Sequence, residues 1–223
     1  MTTKRDHRTN RLSRDALARY PISPGGVVHA KHGTVSCFDL ERDLAAIIRT
    51  HLARPVSLLY VDPPWGPANA SAFRTKADLT DRATYPNIVA NLSALIAATN
   101  APAVIEMGNK WTALWISALS NAGVTVTATV PGTYYNKHPM TYLIVTPGII
   151  ATRISDALMN LDDDHAPGAV MDTLGLPPGS IVFDPACGRG LTAIHARARN
   201  LTFTGNELAP YRAAATIQEL QDD

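Results

Sequence analysis

Two short stretches place chemically capable residues where a strand gives way to a loop. In LLYVDPPWGP (58–67) a continuous apolar run ends in Asp62, Pro63, Pro64 and Trp65. One turn residue would end a strand; an acid, two prolines and a flat aromatic supply more. An exocyclic amine on a nucleic-acid base is a poor nucleophile, because its lone pair is shared with the ring. Two oxygens held on one side can accept both N–H bonds, so that the nitrogen leans toward tetrahedral and its lone pair is freed. Asp62 offers one oxygen and the Pro63 main-chain carbonyl the other, its direction preset by the fixed φ of adjacent prolines. Trp65 offers a face on which a base stacks, worth ~1–3 kcal/mol. The plainer reading is a proline-ended strand with a surface tryptophan.

The second stretch is FDPACGRGLT (183–192). Asp184 and Pro185 end a strand, Ala186 and Cys187 follow, and Gly188 and Gly190 remove side chains where the backbone must bend and approach a ligand. Leu191 and Thr192 open a helix whose free N–H groups suit a carboxylate or phosphate. Asn206, Glu207 and Leu208 follow the next strand, and Glu207 can accept hydrogen bonds from both hydroxyls of a ribose. Two cofactor readings stay open on these residues: an adenosine-containing methyl donor, or a dinucleotide, since Gly188, Gly190 and Ala193 also satisfy G-x-G-x-x-G/A. Against the dinucleotide, only 33 residues follow Gly190, so the other strands must come from earlier in the chain.

Taken together, D-P-x-x-G-x-G, an acid after the next strand and D-P-P-[YW] after another strand resemble the S-adenosylmethionine-dependent amino-methyltransferases of nucleic acids. D-P-P-W precedes the glycine turn, which is the permuted order of the family's β-class of N6-adenine and N4-cytosine DNA methyltransferases. The MT-A70-type adenine methyltransferases share that order and usually carry tryptophan. TGNEL (204–208) looks like the cofactor segment near the end of such proteins. HAPGAVMDTL (165–174) is similar to the short helix before the glycine turn, without the lysine often found there. The resemblance covers residues 30–221. It implies S-adenosylmethionine as cofactor and transfer to a base amine, adenine N6 in DNA first. It also implies cofactor contacts from His165 and from a residue after the first strand, Asp39, with Cys37 or Ser36 as alternatives. Competing readings are an inactive methyltransferase-like subunit that binds nucleic acid or a partner, and a nicotinamide-dependent oxidoreductase.

The elements that must position these residues alternate strand and helix. The pattern predicts an α/β fold: an open, mostly parallel Rossmann-like methyltransferase sheet with one antiparallel edge strand and helices on both faces. The run 55–61 reads as a central strand buried on both faces. The pair 124–130 and 141–146 is the place for the antiparallel edge. Residues 66–82 and 131–140 read as long loops, and 20–26 as a turn-rich linker. The first bears on function by its length alone. If strands 56–61 and 181–184 are neighbours, Asp62 lies beside the glycine turn.

The 223 residues suit one domain, 30–223, behind a basic arm, 1–29. Across residues 1–32, Lys4, Arg5, Arg8, Arg11, Arg14, Arg19 and Lys31 face only Asp6 and Asp15, a local balance of +5 on a chain whose net charge is +1. Such an arm suits a polyanion, DNA before RNA, or is simply a solvated tail. The interval 148–165 is too short for a separate target-recognition domain, so selectivity would fall to loops, the arm, a protein partner or a homodimer. Cys37 and Cys187 lack ligand spacing, so no metal site is expected. No apolar run approaches a membrane span and no signal-peptide core is present, which points to the cytoplasm. Glu106, Asn109, Lys137 and His138, with Tyr134 and Tyr135, are secondary candidates at the crevice. Trp111 and Trp115 have packing spacing.

Overall fold

The computed structural model describes residues 14–135, 137–146 and 148–221. Lys4, Arg5, Arg8 and Arg11 of the basic arm lie outside them. The strands are Val27–Ala30 (β1), Gly33–Ser36 (β2), Leu58–Val61 (β3), Ala103–Gly108 (β4), Ala128–Tyr134 (β5), His138–Val145 (β6), Ile181–Asp184 (β7) and Thr202–Asn206 (β8). Helices are 14–19 (α1), Leu44–His51 (α2), Pro67–Lys76 (α3), Tyr85–Thr99 (α4), Thr112–Asn121 (α5), Ile149–Leu158 (α6), Ala166–Leu174 (α7), Leu191–Arg197 (α8) and Pro210–Gln221 (α9).

The strands form one sheet in the order β1-β2-β8-β7-β3-β4-β6-β5. Strands β2, β8, β7, β3 and β4 run parallel, and the β5–β6 hairpin joins β4 antiparallel. This is the α/β arrangement expected, with one addition: β1 pairs antiparallel with β2 at the other edge.

The period of β3 explains its place. Leu58 and Tyr60 enter a core on one face, with residues of α6, α7, α8 and α9. Leu59 and Val61 enter the core on the other, with residues of α2, α4 and α5. All four residues are buried. Each large apolar side chain so placed contributes about 1.5–3 kcal/mol. A strand this stiffly held ends at a defined point, and Asp62 is the next residue.

Three stretches depart from the sequence expectation. Residues 67–76 are helix, because Pro67 sits in the first turn and Ala68, Ala70 and Ala72 favour it. The 131–140 stretch is mostly sheet: β5 runs on to Tyr134, and β6 begins at His138, directly opposite. Pro131 is tolerated there because β5 is the outermost strand. Residues 124–127 precede β5 rather than belonging to it.

Among the described residues, no helix is long and apolar enough to cross a membrane.

Candidate active site

Strand register brings the two motifs to one end of the sheet. β3 and β7 pair in parallel, with Leu58 opposite Val182 and Leu59 opposite Phe183. The loops leaving both strands therefore open on the same side, where ligands of open α/β sheets bind. A cavity of about 370 Å³ lies there.

Asp62, Pro63, Pro64 and Trp65 line one side of it, and Pro185, Ala186, Asn206, Glu207 and Leu208 the other. Asp62 is reached by solvent from the cavity yet surrounded by protein. That desolvation pushes its carboxyl up to about 7, helped by the charges of Asp163 and Glu207. A hydrogen bond from Trp65 and the charge of Arg212 oppose the rise. Trp65 Nε1 donates to Asp62 Oδ1 at 3.3 Å. The Trp65 ring meets Tyr134 with centroids 4.8 Å apart, and Tyr134 meets Tyr135 at 4.2 Å. The outcome is an acid at the rim of an aromatic wall, with both tyrosines on the cavity surface.

The rest of the glycine turn stands behind the wall. Asp184 is buried and shapes the turn: Oδ1 accepts from the Ala186 N–H at 3.0 Å and Oδ2 from Thr192 Oγ1 at 2.7 Å. Burial raises its carboxyl to about 7. Gly188 and Gly190 have φ of +58° and +87°, a region that side chains rarely enter. The Gly190 N–H donates to the Cys187 carbonyl at 2.8 Å, closing the turn into α8. Cys187 is buried and Leu191 begins the helix, so neither lines the cavity.

Asn206 and Glu207 differ in kind. Asn206 is buried and fully used. Its Oδ1 accepts from Ser36 Oγ and the Phe38 N–H, and its Nδ2 donates to the carbonyls of Phe38 and Pro185. It ties β2 to the glycine turn. Glu207 Oε1 accepts from the Ala209 N–H at 2.9 Å, and Oε2 stands 3.5 Å from Arg212 Nε, a long pairing on the cavity wall.

Two candidates stand differently toward the cavity. Asp39 lines the cavity, but its carboxylate is engaged: Oδ2 accepts from Arg74 at 2.9 Å and Oδ1 from the Glu41 N–H. Ser36 is buried against His51 and Asn206, and the Cys37 thiol donates to the Leu208 carbonyl at 3.4 Å. Phe38 and Leu40 of this segment line the cavity with apolar side chains. His165 is not on the cavity wall; it turns into α7 with its side chain exposed.

Among the secondary candidates, Lys137 and His138 do not line the cavity. Glu106 is buried beneath it, accepting from Tyr60 OH at 2.9 Å. Burial and the Asp62 charge hold its carboxyl well above the usual range. Asn109 accepts from Thr141. Trp115 is fully buried and donates to Tyr85 OH, a packing role.

Asp163, Phe73 and Arg212 belong to the site and carry no motif. Asp163 accepts from the Tyr135 N–H and biases Asp62 by its charge. Phe73 comes from α3, which roofs the cavity with Asn69 and Arg74.

No protein-family model matches the chain, and no curated protein sequence does. Solved structures do resemble it. One is M1.HpyAVI, at 15% identity, covering 84% of this chain and 98% of that one with a TM-score of 0.58. Another is a putative DNA modification methylase from Thermus thermophilus, at 14% identity, with 85% and 93% covered and a TM-score of 0.58. A third is PvuII DNA methyltransferase (cytosine-N4-specific), at 11% identity, with 87% and 88% covered and a TM-score of 0.59. At such identities the likeness is one of fold.

Proposed function

We propose that this chain transfers a methyl group from S-adenosylmethionine to an exocyclic amine of a nucleic-acid base, with adenine N6 in DNA as the first choice. One observation carries the reading: β3 pairs in parallel with β7, and Asp62–Trp65 line the same cavity as Pro185, Ala186 and Arg189 of the glycine turn. The likeness in fold to a methyltransferase named cytosine-N4-specific, and to M1.HpyAVI and the Thermus methylase, both also solved with S-adenosylmethionine, supports the cofactor and the reaction class.

The residues fit that cofactor. The cavity volume lies within the range of small-ligand sites. Phe38 and Leu208 would cover a flat adenine, Glu207 Oε2, held only by its long pairing with Arg212, would accept from ribose hydroxyls, and Pro185 and Ala186 lie beside them. When bound, the donor supplies a methyl on a positively charged sulfur.

The chain supplies orientation and electrostatics. In its ionised form Asp62 accepts one N–H of the amine, and the Pro63 carbonyl accepts the other. Trp65, backed by Tyr134, stacks the base. As the nitrogen gains positive charge its proton becomes acidic, and a carboxylate with a pKa of about 7 suffices to take it. The base must leave a duplex stack to reach this cavity, or come from a single strand.

The interval between β6 and α7 holds α6, whose Ala151, Ile154 and Leu158 are buried in the core. That supports a chain without a separate recognition domain, which reads sequence weakly or through the arm or a partner. The nicotinamide reading leaves Asp62–Trp65 without a task. The deciding experiment offers labelled donor with defined single- and double-stranded oligonucleotides, followed by nucleoside analysis. Label in N6-methyl-2′-deoxyadenosine is the expected outcome. Label in N4-methyl-2′-deoxycytidine would correct the base, label only in ribonucleosides would correct the nucleic acid, and no label in nucleic acid would end the proposal.

A further inference from the structure

Acids and cations share the cavity wall: Asp39, Asp62 and Glu207 stand with Arg74, Lys76, Arg189 and Arg212. Asp62 also feels the charges of Glu207 and Asp163, and a ligand bearing a carboxylate enters against these acids. A cation must meet that carboxylate, or its burial costs more than its contacts return. Arg74 on the roof is spent, since its guanidinium donates to Asp39, Glu41 and Asp81.

Arg212 is differently held. Its guanidinium lies against Gly188 of the turn, where a Cβ would stand 2.6 Å from Nη2. Its other support is the Phe73 ring, with Cζ 4.8 Å from the centroid. Its one ion pair among the described residues is with Glu207, at 3.5 Å from Nε to Oε2. That is too long for a good charge-assisted hydrogen bond. Arg212 Nε is buried and has no hydrogen-bond partner. The group is thus placed by packing, on the cavity wall, with donor capacity its acid does not use.

We propose that Arg212 recognises the α-carboxylate of the methyl donor, exchanging its pairing with Glu207 for that carboxylate and leaving Glu207 to the ribose hydroxyls. The inference rests on the donor reading above. Glycine at 188 leaves the guanidinium room against the turn. Phe73 fixes its plane, which a lysine ammonium would not use in the same way.

Titration calorimetry tests this with two probes: S-adenosylmethionine, and its decarboxylated analogue, which lacks only that carboxylate. The proteins are wild type, Arg212→Gln, Arg212→Lys and Arg189→Gln. Arg189 also lines the cavity. Arg212→Gln should lose about 10- to 100-fold in affinity for the donor while its affinity for the analogue stays within about threefold of wild type. Arg212→Lys should keep part of the preference for the carboxylate, and Arg189→Gln all of it. Equal losses for both probes would mean that Arg212 only supports Glu207, and would overturn the inference. So would unchanged donor affinity, or a carboxylate-selective loss in Arg189→Gln instead. If wild type binds neither probe, the donor reading itself fails and takes the inference with it.

Discussion

Trp65 Nε1 donates its hydrogen bond to Asp62 Oδ1, so the stacking face and the acid of one loop are a single electrostatic unit. The bond holds the Asp62 pKa down against burial. Trp65→Phe keeps a flat ring and removes the donor. Its transfer rate should follow a pH profile displaced upward from that of wild type. Trp65→Ala removes the stack as well and should weaken oligonucleotide binding by about 5- to 150-fold, from ~1–3 kcal/mol of stacking. Single-turnover rates against pH, with oligonucleotide affinity from anisotropy, separate the two effects. An unmoved profile in Trp65→Phe would show that the bond does not tune the acid.

Asp62 itself should trade stability for chemistry. Its folded pKa, about 7, lies above the ordinary aspartate value of 3.8. The folded state therefore holds the proton more tightly than the unfolded chain. Stability from this group is fully present below the unfolded value and is lost as pH rises through about 7. Asp62→Asn should abolish transfer and melt higher than wild type above neutral pH, with the gap closing toward about pH 4. Because solvent reaches Asp62 through the cavity, screening reduces the gain to ~1 kcal/mol. Thermal melts across that range decide it; a variant less stable than wild type at every pH would contradict the cause assigned here.

The glycine turn makes a graded prediction. A Cβ at Gly190 would meet the main-chain Cα of Thr216 at 3.2 Å, which cannot swing away. At Gly188 it would meet the far end of Arg212, which can. Both positions have positive φ, at ~1–2 kcal/mol for a side chain. Gly190→Ala should therefore destabilise more than Gly188→Ala in urea unfolding. Gly188→Ala should instead lose donor affinity, because Arg212 is displaced.

The parts of the site that were legible in sequence are those whose geometry is local. A buried strand that ends in Asp62-Pro63-Pro64-Trp65 needs no distant contact to reveal itself. Asp184 before Gly188 and Gly190 is similar, since its hydrogen bonds reach only to Ala186 and Thr192. Asp163, Phe73 and Arg212 were not legible, because separate elements bring Phe73 and Arg212 to the cavity and Asp163 within electrostatic reach of Asp62, and none has a marked spacing. The engagement of Asp39 was not legible for the same reason: its partner Arg74 lies on a helix that has alanines and a proline to announce it but no apolar stripe. β1 escaped because short, half-exposed edge strands lack a strong pattern.

That cluster around Arg74 yields the last prediction. Arg74 is almost fully buried, with its side chain 2% exposed. It donates to Asp39 and Glu41 at 2.9 Å each, and to Asp81 at 2.6 Å. Glu41 in turn accepts from the Thr84 N–H, and Arg42 adds a second cation to Asp81. These contacts bind α3, with Phe73 on it, to the loop after β2, so the cavity roof hangs on one guanidinium. Arg74→Met leaves two largely buried carboxylates, Asp39 and Glu41, without their cation, at a cost of about 3 kcal/mol. Arg74→Lys should recover little, since an ammonium cannot reach three acids from one planar fork. Urea midpoints measured at low and high salt distinguish a buried cluster from a surface one: the loss should persist in high salt. A loss below ~1 kcal/mol, or one that salt erases, would mean that α3 is held by its apolar contacts instead.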